Sequence, residues 1–199
     1  RHAPRHALMM PMHLTRLIAA LVFVAPLVVS CNALQPRETS MTKFDKVVPC
    51  LWFQRDAEAA ARRYVELVPN SRVLSIARYG EGAPLPAGTE MLIQLEIGGT
   101  QFWLLNGGPQ FKLSEAASIV VRCESQAEID RLWAALGEGG QEMACGWLAD
   151  RWGVSWQIVP AKFDEWMAGP PERSARMMAA LLTMVKLDID TLQRAYDGR

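Results

Sequence analysis

Gly99-Thr100-Gln101-Phe102-Trp103-Leu104 and Gly153-Val154-Ser155-Trp156-Gln157-Ile158 decide the fold, because the second stretch repeats the first in spacing. Side chains alternate across a strand, so Phe102 and Trp156 belong to one face of their strands and Trp103 and Gln157 to the other. Upstream of the first stretch, Met91, Ile93, Leu95 and Ile97 alternate with Gln94 and Glu96, and Gly98-Gly99 turns the chain back into a hairpin. The Gly- and Pro-rich segment 80–88 is a loop, and Val73 to Tyr79 reads as a strand. Before it, Ala60, Ala61, Tyr64, Leu67 and Val68 recur at helical spacing until Pro69-Asn70, with Asp56 placed to cap the helix. Val47 to Phe53 is a compact apolar run and reads as a buried strand.

The same order precedes the second stretch. Ser118 to Cys123 is a strand, and Ser125-Gln126-Ala127-Glu128 is a capping box that opens a helix with the apolar face Ile129, Leu132, Trp133 and Leu136. Gly137 to Gly140 ends that helix, Gln141 to Ala144 and Gly146 to Ala149 are short strands, and Asp150 to Gly153 turns into the strand Val154 to Pro160. Each half is therefore strand, helix and three strands, which predicts an α+β fold of two βαβββ modules. A four-stranded sheet with one helix across its back leaves its other face free, so the two free faces are expected to be buried together or around a ligand in the concave face between them. After Pro160, Phe163, Trp166 and Met167 and then Met177, Leu181, Met184 and Leu187 predict a helical tail, 161–199, used for packing or for a dimer contact.

The 199 residues allow one domain with a real core. Lys and Arg balance Asp and Glu, but residues 1–40 hold four arginines against Glu38 alone, a net +3, which leaves the remainder at −3. No basic stripe of the kind that binds nucleic acid is present, and that partner class is set aside. The three histidines, His2, His6 and His13, all precede Met41, so His-based acid–base catalysis and most zinc, iron and nickel ligation are excluded from the domain 41–160. Cys31, Cys50, Cys123 and Cys145 form no CxxC pair and no disulfide framework, and read as reduced thiols.

Residues 1–40 form a leader with two open readings. Leu17 to Val29 has the length of a signal-peptide apolar core, and Val28-Val29-Ser30-Cys31 resembles a bacterial lipobox, which makes Cys31 a lipidation candidate and the protein a cell-envelope lipoprotein. Translation from Met41, just ahead of the first strand, instead gives a cytoplasmic protein whose only route to a membrane, the lipidated cysteine, is absent.

A repeated βαβββ unit of this length resembles the vicinal oxygen chelate superfamily, which includes glyoxalase, bleomycin-resistance and extradiol-dioxygenase proteins. Val48-Pro49-Cys50-Leu51-Trp52-Phe53, Leu105-Asn106-Gly107-Gly108-Pro109, Cys145-Gly146-Trp147-Leu148 and Trp156-Gln157-Ile158-Val159-Pro160, in that order, resemble its PhnB-like branch, often labelled 3-demethylubiquinone-9 3-methyltransferase. The resemblance implies a small-molecule site on the concave face, often completed in a homodimer. It also implies that four ligand positions of metal-dependent relatives fall on Pro49, Trp103, Ser118 and Gln157. Pro49 and Trp103 have no side-chain donor for a metal, and Ser118 and Gln157 are weak neutral ligands, so no metal and no other cofactor is expected. Nor does a glycine-rich loop follow a strand in the manner that cradles S-adenosylmethionine.

The alternation places Gln101, Trp103, Leu105, Ser155, Gln157 and Val159 on the inward set and puts Trp52, Phe102 and Trp156 under the helices. Ser118, Val120 and Arg122 share a face, with Arg122 available to an anionic ligand. Trp103 is a candidate stacking platform and Gln157 a candidate hydrogen-bonding group, and the resemblance adds Cys145 and Trp147. Three functions compete: a metal-independent binder of a small hydrophobic molecule, an enzyme (a divergent lyase or isomerase, or the labelled methyltransferase), and an interaction module centred on the tail.

Overall fold

The computed structural model describes residues 46–199. The leader, Cys31 and Met41 lie outside the described residues. In chain order the elements are β1 (Cys50–Phe53), α1 (Ala57–Leu67), β2 (Arg72–Arg78), β3 (Glu90–Ile97) and β4 (Thr100–Asn106), then β5 (Ser118–Cys123), α2 (Gln126–Gly137), β6 (Gln141–Glu142), β7 (Trp147–Ala149) and β8 (Ser155–Pro160), and finally α3 (Phe163–Ala168), α4 (Pro171–Leu181) and α5 (Ile189–Asp197). The strands form two four-stranded sheets of matching topology, β1-β4-β3-β2 and β5-β8-β7-β6. In each, the outer strand β1 or β5 runs parallel to the module's last strand, and the other pairs are antiparallel. The fold is thus the expected α+β pair of βαβββ modules with helices at the C-terminus.

Local chemistry explains the helix starts. Ser125 Oγ accepts the Glu128 N–H at 3.2 Å, while the Glu128 carboxylate reaches back to the N–H of Glu124, one residue before the cap, at 2.9 Å. At α1 the expected cap is replaced. Asp56 sits at the N-cap in the left-handed region with φ 64° and makes no side-chain capping bond. The first helical N–H, from Ala57, instead donates to Asn106 Oδ1 at 3.0 Å. Asn106 is supplied by the end of β4, so the helix start is tied to the strand beside β1.

How the modules meet corrects an expectation. Tyr64 on α1 packs edge-on against Trp156 of β8, with ring centroids 4.9 Å apart, and Arg131 on α2 donates to the Leu67 carbonyl at the end of α1. The helix-side residues of both sheets, including Ile93, Leu95, Phe102, Leu104, Leu148, Trp156 and Ile158, join one hydrophobic core with α1 and α2. The sheets therefore turn their helix-covered faces toward each other, and their free faces lie on the far sides of the shared core. They do not meet within one chain.

At the centre of this seam lies a buried carboxylate that the sequence presents only as a turn residue. Asp150 Oδ2 accepts from the Tyr64 hydroxyl at 2.6 Å and from Trp156 Nε1 at 3.0 Å, while Oδ1 accepts the backbone N–H groups of Trp152 and Val154 at 2.9 and 3.0 Å. Four donors compensate for the loss of water.

Of the two readings of the tail, the structure gives packing. Met177, Leu181 and Leu187 are buried with Val159, Trp166, Leu192 and Tyr196 in a second core, and Met184, partly buried, packs against it. No helix among the described residues is long and apolar enough to cross a membrane.

Candidate functional site

The β4 register fixes the first free face. Phe102, Leu104 and Asn106 are buried on the helix side, while Gln101, Trp103 and Leu105 point the other way, with Trp103 38% exposed. Parallel pairing sets Cys50 beside Trp103 and Trp52 beside Leu105, and antiparallel pairing sets Gln94 on the other side of Trp103. Trp52 is thus a correction: it lies on the free face and not under the helices, and Leu51, paired with Leu104, takes the helix side. Trp52 donates through Nε1 to the Gly108 carbonyl at 2.9 Å and meets Phe111 edge-on with centroids 4.9 Å apart. A Cβ on Gly107 would stand 2.2 Å from the Trp52 ring, so only glycine lets the chain pass there. The Asn-Gly-Gly-Pro string is accordingly a structural device: Asn106 caps α1 and donates to the Glu90 carbonyl, and the glycines seat Trp52.

The second free face holds the other candidates. Gln157 Nε2 donates to Ser118 Oγ at 2.9 Å. The pairing of Trp147 with Gln157 fixes the register of β7 and puts the Trp147 indole on this free face, with Leu148 on the helix side opposite Trp156. Val120 is half exposed between Ser118 and Arg122. Arg122 makes an ion pair with Asp164 of α3 at 2.9 Å, so its guanidinium is already engaged by the tail. Cys145 lies apart from these groups. Its backbone is held in the left-handed region, φ 64°, by donating to the Met184 carbonyl at 2.8 Å, and its side chain packs against the tail core.

The structure thus gathers Gln101 and Trp103 on one face and Ser118, Trp147 and Gln157 on the other. Trp103 and Gln157 do not confront each other within the chain. Cys50, which the unbroken apolar run of β1 gives no means to place, shares the face of Trp52 and joins the first face as an exposed free thiol. Burial pushes its pKa up, and burial raises that of Cys123 much further, to about 12.

The four inherited metal positions do not fit a divalent ion. The register that sets Cys50 beside Trp103 corrects Pro49, which falls on the helix-side set with Leu51; Trp103 brings no donor, and the Ser118 and Gln157 groups are bonded to each other. Among the described residues no three His, Cys, Asp or Glu side chains are grouped as ligands. An S-adenosylmethionine cradle fits no better, since the strand-to-helix connections, Gln54 to Asp56 and Glu124 to Ser125, contain no glycine.

Two outward-facing βαβββ sheets over a shared helical core, with neutral groups at the ligand positions, define a protein of the vicinal oxygen chelate superfamily. The family model described as 3-demethylubiquinone-9 3-methyltransferase matches residues 45–159, more than half of the chain, and the chain belongs to that family. It is similar to the putative 3-demethylubiquinone-9 3-methyltransferase, PhnB protein, of Bacillus cereus, with 31% identity over 59% of this chain and 100% of that one and a TM-score of 0.55. It also matches protein PA1353 of Pseudomonas aeruginosa (24% identity, 59% of this chain and 98% of that one, TM-score 0.49) and the fosfomycin resistance protein FosX of Mesorhizobium loti (15%, 63% and 98%, TM-score 0.44). No curated protein matches the chain. Helices α3 to α5 lie outside the family match.

Proposed function

We propose that this protein binds a small hydrophobic molecule on its free sheet faces, without a histidine-ligated metal, and that the site is completed in a homodimer. The observation that carries this reading is Trp103, a large aromatic side chain left 38% exposed at the middle of a sheet face beside Leu105 and Gln101. Exposed sheet-face aromatics favour contact with an apolar surface, and an indole offers a flat stacking area. Gln157, held by Ser118, supplies the orienting hydrogen bond on the second face. Because the free faces of one chain point away from each other, a cleft with Trp103 on one wall and Gln157 on the other needs the first module of one copy and the second module of its partner.

The test is a screen of neutral aromatic and quinone-like compounds by thermal shift and tryptophan quenching, run beside light scattering. A dimer at micromolar concentration, and a hit that Trp103→Ala weakens by about 1–3 kcal/mol, are the expected results. A monomer that still binds the hit, or a hit indifferent to Trp103→Ala, overturns the reading.

A further inference from the structure

Resting on the free-face reading above, we propose that Asp164, in the C-terminal tail, is a specificity-determining residue of the second free face: by holding Arg122 it makes that face select neutral ligands with an amide or hydroxyl group and disfavour carboxylates and phosphates. The strand register decides which side chains the face carries. Ser118, Val120 and Arg122 of β5 share it with Ser155, Gln157 and Val159 of β8 and with Trp147 and Ala149 of β7. Within that set Arg122 alone is charged, so the charge of the face depends on what meets its guanidinium. The group that meets it comes from beyond residue 159, where the family match ends. The Ala161 N–H donates to the Cys123 carbonyl at 2.8 Å, which brings the chain back to the end of β5, and Trp166, 1% exposed, anchors α3 in the tail core. Asp164 stands between these two fixed points, with its carboxylate 2.9 Å from the Arg122 guanidinium.

The chemistry of the face follows from that pair. Val120 is the register partner of Gln157, and Arg122 lies two residues further along β5, roughly 7 Å away, within the distance over which a charge acts at physiological salt. An unopposed guanidinium there would draw an anionic group toward Gln157. With Asp164 in place the cation is matched, and an anion would give up hydration for a charge that is already neutralised. Gln157 itself favours a neutral partner. One of its Nε2 protons goes to Ser118 Oγ, and its second N–H and its oxygen suit an amide or a hydroxyl. The side chains of Arg122 and Asp164 are 61% and 66% exposed, so the pair adds little to stability, and removing the carboxylate should change what binds without loosening the fold.

The experiment titrates benzamide and benzoate, a neutral and an anionic molecule of nearly one shape, into the full chain at low and at high salt, with ligand-observed NMR for affinity and the melting temperature for stability. The original protein is expected to bind benzamide about tenfold more tightly than benzoate. Asp164→Asn should raise the affinity for benzoate about three- to tenfold at low salt, lose that gain at high salt, and leave benzamide binding and the melting temperature close to their original values. Adding Arg122→Gln to Asp164→Asn should cancel the gain, which a merely structural role of Asp164 would not produce. A preference for benzamide that Asp164→Asn leaves unchanged, or a gain that survives Arg122→Gln, overturns the proposal, and if Trp103→Ala still weakens benzamide binding in that case the free-face reading stands without it. Absence of saturable binding of both probes overturns the proposal as well, and the wider compound screen then decides the free-face reading on its own.

Discussion

The two modules share strand order, pairing and a helix across one face, yet their free faces end differently. In the first module, the chain leaving β4 folds back only far enough to bring Phe111 against Trp52, and Cys50 and Trp103 stay exposed. In the second, the chain leaving β8 continues into three helices. Val159 on the free face is buried beside Trp166, and Arg122 is paired with Asp164. Equivalent sheets thus acquire unequal surfaces from the segments that leave their last strands. The first module presents an open aromatic face, while the second keeps only its middle, around Val120, Gln157 and Trp147, uncovered.

The sharpest way to break this comparison is at the aligned positions Phe102–Trp103 and Trp156–Gln157, because a helix-side residue and a free-face residue should fail in different ways. Trp156 is fully buried and holds Asp150 Oδ2, so Trp156→Ala should cost about 3–5 kcal/mol in urea unfolding, from the cavity and from the lost indole donor. Equal costs for Trp156→Ala and Trp103→Ala would mean that the two faces are not distinct.

Alkaline unfolding examines the seam that turns both free faces outward. Tyr64 is buried, and its pKa is raised well above the usual 10, first by burial and then by the charge of Asp150 and the hydrogen bond to it. Folding therefore favours the protonated phenol. Its contribution is fully present below the unfolded pKa near 10 and is lost as pH rises toward the folded value, at about 1.4 kcal/mol per pH unit. Tyr64→Phe should lower stability at neutral pH, because it removes one donor to Asp150, yet flatten the decline above pH 10. A wild-type and variant pair with parallel alkaline slopes would show that Tyr64 does not carry the linkage.

Much of this arrangement is legible in the residues, and the rest is hidden for physical reasons. The face of β8 can be read because polar and bulky residues alternate in Ser155-Trp156-Gln157, and β4 takes its faces from the matched spacing of the two stretches, Gln101-Phe102-Trp103 against Ser155-Trp156-Gln157. Trp52 cannot be placed in the same way, since apolar residues run unbroken through Leu51-Trp52-Phe53 and give no period. The meeting of the helix sides is hidden because alternation tells which residues share a face and is silent on which face meets which. Asp150 is hidden too: an acidic residue before Arg-Trp-Gly looks like a solvated turn, and its partner Tyr64 is 86 residues away. The chain does carry a sign of α5, Asp188 with Thr191 three residues later, whose N–H donates to the Asp188 carboxylate at 2.7 Å.

The smallest expected effect is the one most specific to the open face. Trp103 is more than a third exposed, and its register neighbours, Cys50 and Gln94, lie on a surface that one chain leaves uncovered. Trp103→Ala should therefore change unfolding free energy by only about 0.5 kcal/mol. A thiol probe gives the more sensitive readout. Burial raises the Cys50 pKa, and removal of the adjacent indole relieves part of that burial, so iodoacetamide at constant pH should modify Cys50 faster in Trp103→Ala than in the original protein. Cys123, almost wholly buried and with its pKa pushed up to about 12, should stay unmodified in both and serves as the internal standard. If the first face is covered by a second copy, dilution below the dimer dissociation constant should accelerate Cys50 labelling in the original protein as well. An unchanged rate in the variant would place the Trp103 side chain away from Cys50 and contradict the parallel register that sets them side by side.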